Sequence, residues 1–378
     1  MPDGPFSGLL VVDLTRVLAG PFCTMMLAEL GARVIKVEDP RGGDDSRHFE
    51  PFFEGQSAYF ASLNRGKESI ALNLKDVADS AVFLKLVGRA DVLVENFRPG
   101  TMDRLGLGFE TLRAANPRLI YAAVSGFGQT GPWSRKPAYD LIVQALGGMM
   151  SVTGQPAGPP TKAGTSVGDI TGGLFLLAGI AGALYHREKT GAGRLVDVAM
   201  LDGQLAILES AIMRYAATGQ VPGPIGNRHP SITPFEPYAA ADRPLVIAAG
   251  NDALFGRLCA ALGRADLAAD PRYTSNSART RHAEELKADL EATLCREPAG
   301  YWIGVLETAG VPCGLIQNVA EAVAHPQTQA RNMVVRAGAL LMAGNPIKIE
   351  GFADALTRPP APELNADGDR IRRELGGG

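Results

Sequence analysis

The chain has 378 residues, 46% of them hydrophobic, which is enough to bury a substantial core and to form two domains. Its net charge of -3 argues against a nucleic-acid-binding protein, in which a basic stripe is expected. The four cysteines lack CxxC spacing and the five histidines form no HExxH pair, so we expect reduced thiols and no metal site. The N-terminus lacks the pattern of a targeting segment, which predicts a cytoplasmic protein.

Apolar, β-rich runs alternate with helical patterns in the first half of the chain. The predicted strands are residues 8–14, 32–38, 69–74, 91–96 and 119–125, and the predicted helices are residues 21–30 and 77–90. This alternation predicts a parallel sheet with helices on both faces. Ligands of such sheets bind beyond the carboxyl ends of the strands, which here means the loops after Leu14, Leu74 and Asn96.

Asp169 lies in a glycine-rich segment, GTSVGDITGG, directly before an apolar run at 170–185 that predicts a buried helix. Asp169 would then be the N-cap, where the helix dipole and free N–H groups favour an ionised carboxylate. The glycines would let a reacting carbonyl approach, with backbone N–H groups near a developing oxyanion. Asp is also a common helix cap, and the spacing alone does not separate a nucleophile from a cap. The run is slightly short for a membrane span, so we expect a core helix and no membrane partner.

The composition of the chain changes after a predicted helix at 201–218. Residues 222–230 are rich in Pro and Gly and indicate a passage between domains. A smaller α/β domain follows, with a strand at 245–249 and helices at 253–262, 282–294 and 298–309. A return to strand is predicted within 339–351, and a charged helix at 367–375.

A nucleotide-binding enzyme is the first alternative, because strand, helix and a strand ending in Glu38 mimic a dinucleotide-binding unit. The loop at 15–21, TRVLAGP, lacks GxGxxG, so its backbone cannot approach a pyrophosphate in the usual way. The sequence also contains no GxxxxGK[ST] motif. These two features disfavour a dehydrogenase and an ATP-driven ligase.

Eight segments, taken in order, resemble the class III CoA-transferases, the family that includes the formyl-CoA and carnitine-CoA transferases. They are DLTRVLAGP (13–21), GARVIKVE (31–38), NRGKES (64–69), VENFRPG (94–100), NPRLI (116–120), GFGQTGP (126–132), GD (168–169) and HREKTG (186–191). The resemblance covers nearly the whole chain and is strongest over residues 8–200. Within the family the chain is most similar to the transferases that use succinyl-CoA and dicarboxylic acids.

The resemblance implies an α/β fold in which two chains interlace as a homodimer. Each chain would have a large Rossmann-like domain, residues 1–222 and 330–378, and a small domain with linkers, residues 223–329. Coenzyme A and acyl-CoA would be substrates, small carboxylic acids the other partners, and no cofactor would be tightly bound.

The resemblance also implies site residues. Asp169 would be the catalytic nucleophile, which attacks the thioester and then carries CoA itself. The CoA site would comprise Val17, Leu18, Leu72, Asn73, Leu74, Lys75, Asn96, Phe97, Arg98, Arg104, Lys136, Pro137, Ala138 and Tyr139. Asp140, Gly250 and Arg228 would be substrate contacts. Asp39 stands where relatives place an Arg on the CoA, and Arg41 is a candidate replacement.

Three departures bear on the reaction. Acyl-CoA racemases of the superfamily use a His before the Asp that aligns with Asp140, and Tyr139 stands there, so a racemase is the weaker alternative. Residues 248–252 are much shorter than the glycine-rich loop of formyl-CoA transferases, which argues against formyl-CoA and oxalate as substrates. A CoA-binding dimer without turnover remains the other alternative.

Overall fold

The computed structural model describes residues 3–376. The strands are β1 Leu10–Asp13, β2 Arg33–Glu38, β3 Phe52–Phe53, β4 Gln56–Ser57, β5 Glu68–Ala71, β6 Val92–Glu95, β7 Ile120–Ser125, β8 Leu195–Ala199, β9 Phe235–Tyr238, β10 Leu245–Ala248, β11 Cys313–Leu315, β12 Val334–Ala337, β13 Leu340–Ala343 and β14 Thr357–Arg358. The helices are α1 Ala19–Glu29, α2 Ala58–Asn64, α3 Val77–Val87, α4 Thr101–Arg104, α5 Phe109–Ala115, α6 Asp140–Leu146, α7 Met149–Val152, α8 Val167–Thr190, α9 Met200–Ile207, α10 Ser210–Thr218, α11 Asp252–Ala261, α12 Ala265–Ala269, α13 Asn276–Arg281, α14 Ala283–Leu294, α15 Ala299–Thr308, α16 Val319–Ala324, α17 Pro326–Ala330 and α18 Gly368–Glu374.

The chain divides into two compact units. The larger unit contains the residues up to Met150, Lys162–Gln220 and the residues from His325 onward. The smaller unit contains Ser151–Thr161 and Val221–Ala324. Residues 151–161 thus cluster with the smaller unit, whereas the sequence analysis placed them in the larger domain.

A six-stranded parallel sheet forms the centre of the larger unit. Its strand order is β5-β2-β1-β6-β7-β8, which is the order of a Rossmann fold. Val12 of β1 lies opposite Ile35 of β2 and Leu93 of β6. The predicted α/β fold with a parallel sheet is therefore confirmed. The order reverses between β1 and β6, so the expected ligand crevice lies at the carboxyl ends of these two strands.

Helices cover both faces of this sheet because alternate side chains of each strand point to opposite faces. Val11 packs in one core cluster with side chains of α1 and α8, including Leu27 and Ile180. Val12 packs in a second cluster with side chains of α3 and α5, including Phe83 and Leu112. Both clusters are almost fully buried.

The helix α8 is long and apolar enough to cross a membrane, with a mean hydropathy of 1.7 in its most apolar window. Its buried residues Leu176, Leu177 and Ile180 belong to the same core cluster as α1. A core helix of a folded domain meets the same length and hydropathy criteria, and these buried contacts are of that kind.

One predicted helix is divided in the structure, and one strand of the central sheet was missed. The predicted helix at 201–218 is two helices, α9 and α10, separated at Glu209, whose φ of 53° does not continue an α-helix. The strand β8 was not predicted, because LVDVA is short and follows directly after a long helix and a turn. This strand completes the edge of the sheet beside β7.

The smaller unit contains the antiparallel sheet β11-β10-β9. Helices α11, α14 and α15 contribute to its core, in which Tyr238, Ile247, Leu258, Leu290 and Trp302 pack together. A further three-stranded sheet, β13-β12-β14, belongs to the larger unit.

A buried network of charges lies where β1 ends. The Lys67 Nζ atom donates to Asp13 Oδ2 at 2.9 Å, to Thr24 Oγ1 at 2.7 Å and to Asn64 Oδ1 at 2.9 Å. The side chains of Lys67 and Asp13 are completely buried. Burial opposes ionisation of Asp13, but the charges of Lys67 and Lys36 outweigh it and hold its pKa well below the ordinary value. The carboxylate therefore stays charged and fixes the end of β1.

We expect Lys67→Met to lower the free energy of unfolding by about 3–5 kcal/mol, because it removes one partner of a buried ion pair and leaves polar atoms unpaired. Urea unfolding measures the change. The matched control is Lys85→Met on the exposed face of α3, for which about 0.5 kcal/mol or less is expected. An equally small change for Lys67→Met would contradict the account of this network.

Candidate active site

A cavity of about 230 Å³ opens where the loops after β1 and β6 meet, at the point where the strand order reverses. Asp169 lines this cavity. So do nine of the predicted CoA-site residues: Val17, Leu18, Asn96, Phe97, Arg98, Lys136, Pro137, Ala138 and Tyr139. The family resemblance therefore selected residues that are far apart in sequence and adjacent in space.

The cavity wall also carries positive charge, which suits a polyanionic ligand. The side chains of Arg16, Arg98 and Lys136 all line it. Within residues 3–376 the Arg98 guanidinium has no hydrogen-bond or ion-pair partner, so its donors are available to a ligand. The Lys136 Nζ atom lies 3.7 Å from the centre of the Trp133 ring.

Asn96 joins the two loops of the cavity. Its Oδ1 accepts from the Arg16 N–H at 2.9 Å, and its Nδ2 donates to the Arg16 carbonyl at 2.7 Å. Both polar atoms of the side-chain amide thus bond to the backbone of Arg16, which links the loop after β6 to the loop after β1. Arg16 was not predicted as a site residue, although it stands in the quoted 13–21 segment. Its guanidinium lies 3.3 Å from Asp45, and both side chains are largely exposed.

Asp169 does not lie at the N-cap of its helix, contrary to the prediction. The helix α8 begins at Val167 with Ser166 as N-cap, so Asp169 is the third helical residue. The apolar-run criterion missed the first turn because that turn, Val167 to Asp169, is not uniformly apolar. Asp169 remains in the first turn, where the helix dipole still favours an anion.

The Asp169 carboxylate is partly buried in the cavity wall, and no cation or hydrogen-bond donor of the described residues pairs with it. Burial, together with the nearby negative charge of Asp140, raises its pKa to about 7. The position at a helix start predicts instead an ionised carboxylate, stabilised by the helix dipole. Desolvation outweighs the dipole, so the group titrates near neutrality.

Asp140 holds the start of α8 in place. Its Oδ1 accepts from the Gly168 N–H at 2.8 Å, and its Oδ2 accepts from Gln144 Nε2 at 2.7 Å. One orphan N–H of the helix terminus is thereby satisfied from α6, since Ser166 makes no side-chain cap. Both oxygens of Asp140, predicted to contact substrate, are engaged in this structural role.

The glycines of the Asp169 segment make room for protein rather than for a ligand. A Cβ at Gly168 would lie 2.6 Å from Val143 Cγ2, and a Cβ at Gly173 would lie 2.6 Å from the Ala19 carbonyl oxygen. These distances are too short for any side chain. The glycines therefore bring α8 close to α6 and α1, which places Asp169 beside the loop after β1.

Tyr59 is a neighbour of this site that the sequence analysis missed. Burial raises the pKa of its hydroxyl to about 12, with contributions from the negative charges of Asp169, Asp44 and Asp140. The phenol therefore stays protonated at neutral pH. Its sequence context on α2 carries no motif, so only the fold reveals its position.

The remaining predicted CoA-site residues lie outside the Asp169 cavity. Leu74, Lys75 and Arg104 line a separate open groove of about 560 Å³. Leu72 is buried in the core, and the exposed Asn73 accepts from the Lys75 N–H at 3.2 Å. Arg41 donates to Asp39 at 2.8 Å. Asp39 stands at the position where relatives have an arginine, so the candidate replacement, Arg41, is itself paired with Asp39.

Arg228 and Gly250 belong to the smaller unit. The Arg228 guanidinium lies 3.9 Å from the largely exposed Glu284, which is a weak ion pair. Gly250 lies two residues beyond the end of β10, and a Cβ added to it would lie 3.3 Å from the Ile232 side chain. Both predicted substrate contacts therefore belong to the smaller unit, whereas Asp169 belongs to the larger one.

Residues 3–376 contain no group of three His, Cys, Asp or Glu side chains that could hold a metal ion. The part of the Asp169 cavity formed by described residues has no histidine in its lining. The ionisable side chains in this lining are Arg16, Asp45, Arg98, Lys136, Tyr139 and Asp169.

Comparison with known proteins shows the family. A model described as CoA-transferase family III matches residues 6–368. The acetyl-CoA:oxalate CoA-transferase of Acetobacter aceti is 54% identical over 375 residues, which cover 99% of this chain and 96% of that protein. The succinyl-CoA:mesaconate CoA-transferase of Haloarcula marismortui is 43% identical over 361 residues, 92% of this chain and 90% of that protein.

A solved structure agrees with the fold of this chain. A CAIB/BAIF family protein from Brucella suis has a crystal structure that matches with a TM-score of 0.88 at 39% identity, covering 99% of this chain and 100% of that one. The resemblance carried by the eight segments is thereby confirmed. The protein is a CoA-transferase and belongs to CoA-transferase family III.

Proposed function

We propose that the protein moves CoA from an acyl-CoA donor to a dicarboxylic acid through an aspartyl-CoA thioester on Asp169. The observation that carries this proposal is an unpaired carboxylate in a cationic cavity at the strand-order reversal of the sheet. Asp13 and Glu38, two buried carboxylates of the same unit, are paired with cations. An unpaired and partly buried carboxylate is instead suited to react.

The reaction begins when an Asp169 oxygen attacks the thioester carbonyl of the donor. The C–S bond breaks, which gives a mixed anhydride and free CoA thiolate. The thiolate then attacks the aspartyl carbonyl, which releases the donor acid and leaves CoA on Asp169 as a thioester. The acceptor carboxylate enters, attacks this thioester, and the steps run in reverse. Each step exchanges one activated acyl bond for another, so no ATP is required.

The raised pKa of Asp169 supports the nucleophilic role. A more basic carboxylate is a stronger nucleophile, and a pKa near the working pH keeps a useful fraction of it ionised. The neighbouring Asp140 contributes its charge to this shift while it holds the helix start. The Tyr59 phenol, which stays protonated, is a candidate donor to a substrate carboxylate or to a developing oxyanion.

The CoA moiety has complementary partners around the cavity. Arg98 and Lys136 would bind phosphate oxygens, and Phe97 would present an apolar face to the pantetheine arm or adenine. The groove formed by Leu74, Lys75 and Arg104 would extend this surface for the nucleotide.

Dicarboxylic acids are the proposed acceptors. The two reported relatives are named for oxalate and mesaconate, both of which carry two carboxylates. The short segment at 248–252 was interpreted as evidence against oxalate, and the 54%-identical relative named for oxalate removes that argument. Acetyl-CoA and succinyl-CoA are both candidate donors. Arg228, with its weak pairing to Glu284, is a candidate partner for the second carboxylate.

The alternatives have less support. A racemase needs a base at the α-carbon, and Tyr139 occupies the position of the required His. A CoA-binding dimer without turnover gives no reason for an unpaired carboxylate with a raised pKa. The interlaced homodimer remains a proposal, supported by exposed apolar side chains of the larger unit such as Phe175, Met213 and Tyr215. The cytoplasmic location remains a prediction.

We expect Asp169→Asn to lower the rate of CoA transfer between succinyl-CoA and an acceptor acid by at least about a thousandfold, because the amide is not a nucleophile. CoA binding, measured by calorimetry, should remain. The matched control is Asp202→Asn, an exposed acid in the first turn of α9, which should leave the rate unchanged. Full activity of Asp169→Asn would favour the non-catalytic reading of this residue.

We expect the single-turnover rate of CoA release from donor acyl-CoA to rise with pH through about 7, since the reactive form of Asp169 is the carboxylate. Below this value the rate should fall about tenfold for each pH unit. Asp140→Asn removes a negative charge and should move the midpoint to lower pH. A flat profile between about pH 5 and pH 9 would contradict the assignment.

We expect Arg228→Gln to raise the KM for succinate, glutarate and mesaconate by about tenfold, while the KM for the monocarboxylate propionate stays unchanged. The lost ion pair concerns only the second carboxylate. Arg296→Gln, at an exposed arginine of the same unit, is the control. An equal rise for propionate would show that Arg228 does not select for two carboxylates.

A further inference from the structure

Val17 adopts a backbone conformation that valine disfavours. Its φ is 68°, in the left-handed region, where a β-branched residue is a genuine outlier. The residue stands between the end of β1 and the start of α1 and lines the Asp169 cavity. Neighbouring groups must therefore hold this conformation against relaxation to a negative φ.

Asp44 bonds the Val17 N–H itself, while Asn96 holds the N–H and the carbonyl of the preceding residue, Arg16. The Val17 N–H donates to Asp44 Oδ1 at 3.1 Å. The other oxygen, Oδ2, lies 2.9 Å from Lys36 Nζ, and both side chains are completely buried. Lys36 in turn donates to the Thr15 carbonyl at 2.7 Å. The Asp44–Lys36 pair thus bonds two backbone atoms of the loop after β1, the Thr15 carbonyl oxygen and the Val17 N–H, which flank Arg16.

Asp44 is itself fixed from the opposite side. Its N–H donates to Glu38 Oε2 at 3.0 Å, and Glu38 is paired with Arg47 at 2.7 Å. Gly43 has a φ of 71°, and a Cβ there would lie 2.7 Å from Glu38 Oε2, so the approach requires glycine. Ser46 adds a backbone N–H to Asp44 Oδ1 at 2.9 Å. These contacts leave the Asp44 carboxylate little freedom to move with Val17 if the loop changes conformation.

We propose that Asp44 is a positioning residue of this transferase, which holds Val17 in the left-handed conformation and thereby fixes the cavity wall for acyl-CoA. This inference rests on the proposed function of the Asp169 cavity. Without the carboxylate, Val17 relaxes to a negative φ and the segment from Arg16 to Ala19 leaves its binding position. Acyl-CoA then binds only the remaining competent fraction, which raises the apparent KM and leaves kcat unchanged.

A double-mutant cycle between Asp44 and Val17 tests this role, because glycine adopts a positive φ without strain. In the wild-type background, Asp44→Ala should raise the KM for acyl-CoA about tenfold with kcat within about twofold. In the Val17→Gly background the same change should raise the KM by less than about threefold. Asp44→Asn should raise the KM less than Asp44→Ala does, because its amide oxygen can still accept from the Val17 N–H. If Asp44→Ala does not fold, Asp44→Asn takes its place in the cycle.

The control is Glu29→Gln, another buried carboxylate, which pairs with Arg65 at 2.7 Å and Arg358 at 2.8 Å away from the cavity lining. It should lower the melting temperature without changing the KM. An equal KM increase in both Val17 backgrounds, or a fall in kcat with an unchanged KM, overturns the proposal. A wild-type protein without turnover would refute the proposed function instead. The role of Asp44 would then be decided by measuring the Kd of CoA for the same four proteins of the cycle.

Discussion

A carboxylate without a counter-ion, partly buried at the start of a core helix, is the constraint on which the site depends. The folded-state pKa of Asp169, about 7, exceeds the ordinary value of 3.8, so the folded protein binds a proton more tightly than the unfolded chain. Stability associated with this group is therefore present below about pH 4 and is lost as the pH rises through about 7. The apolar packing of α8 against α1 and the sheet offsets this cost.

Three other buried carboxylates of the larger unit are arranged in the opposite way. Asp13 is paired with Lys67, Asp44 with Lys36, and Glu38 with Arg47. Pairing keeps these groups ionised and rigid, so they define the backbone of the loops rather than react. The presence of a cationic partner thus distinguishes these three carboxylates from Asp169.

The parallel sheet and most of its strands could be predicted from the sequence, because short, β-branched apolar runs that alternate with helical patterns are typical of buried parallel strands. The position of Asp169 in the cavity followed from family resemblance, not from spacing. The environment of Asp169 could not be predicted, since desolvation and the charge of Asp140 arise only from the packing of α6 against α8. Tyr59 and Asp44 were missed for the same reason: each acts through tertiary contacts that no local motif encodes.

The most direct test of the account is chemical trapping of the enzyme with its donor. The protein is incubated with acyl-CoA in the absence of an acceptor acid, treated with borohydride and mapped by peptide mass spectrometry. Borohydride reduces a thioester and leaves free carboxylates intact, so the account predicts reduction of the Asp169 carboxyl to a primary alcohol, dependent on the donor. An enzyme that transfers CoA while Asp169 stays unmodified would contradict the account.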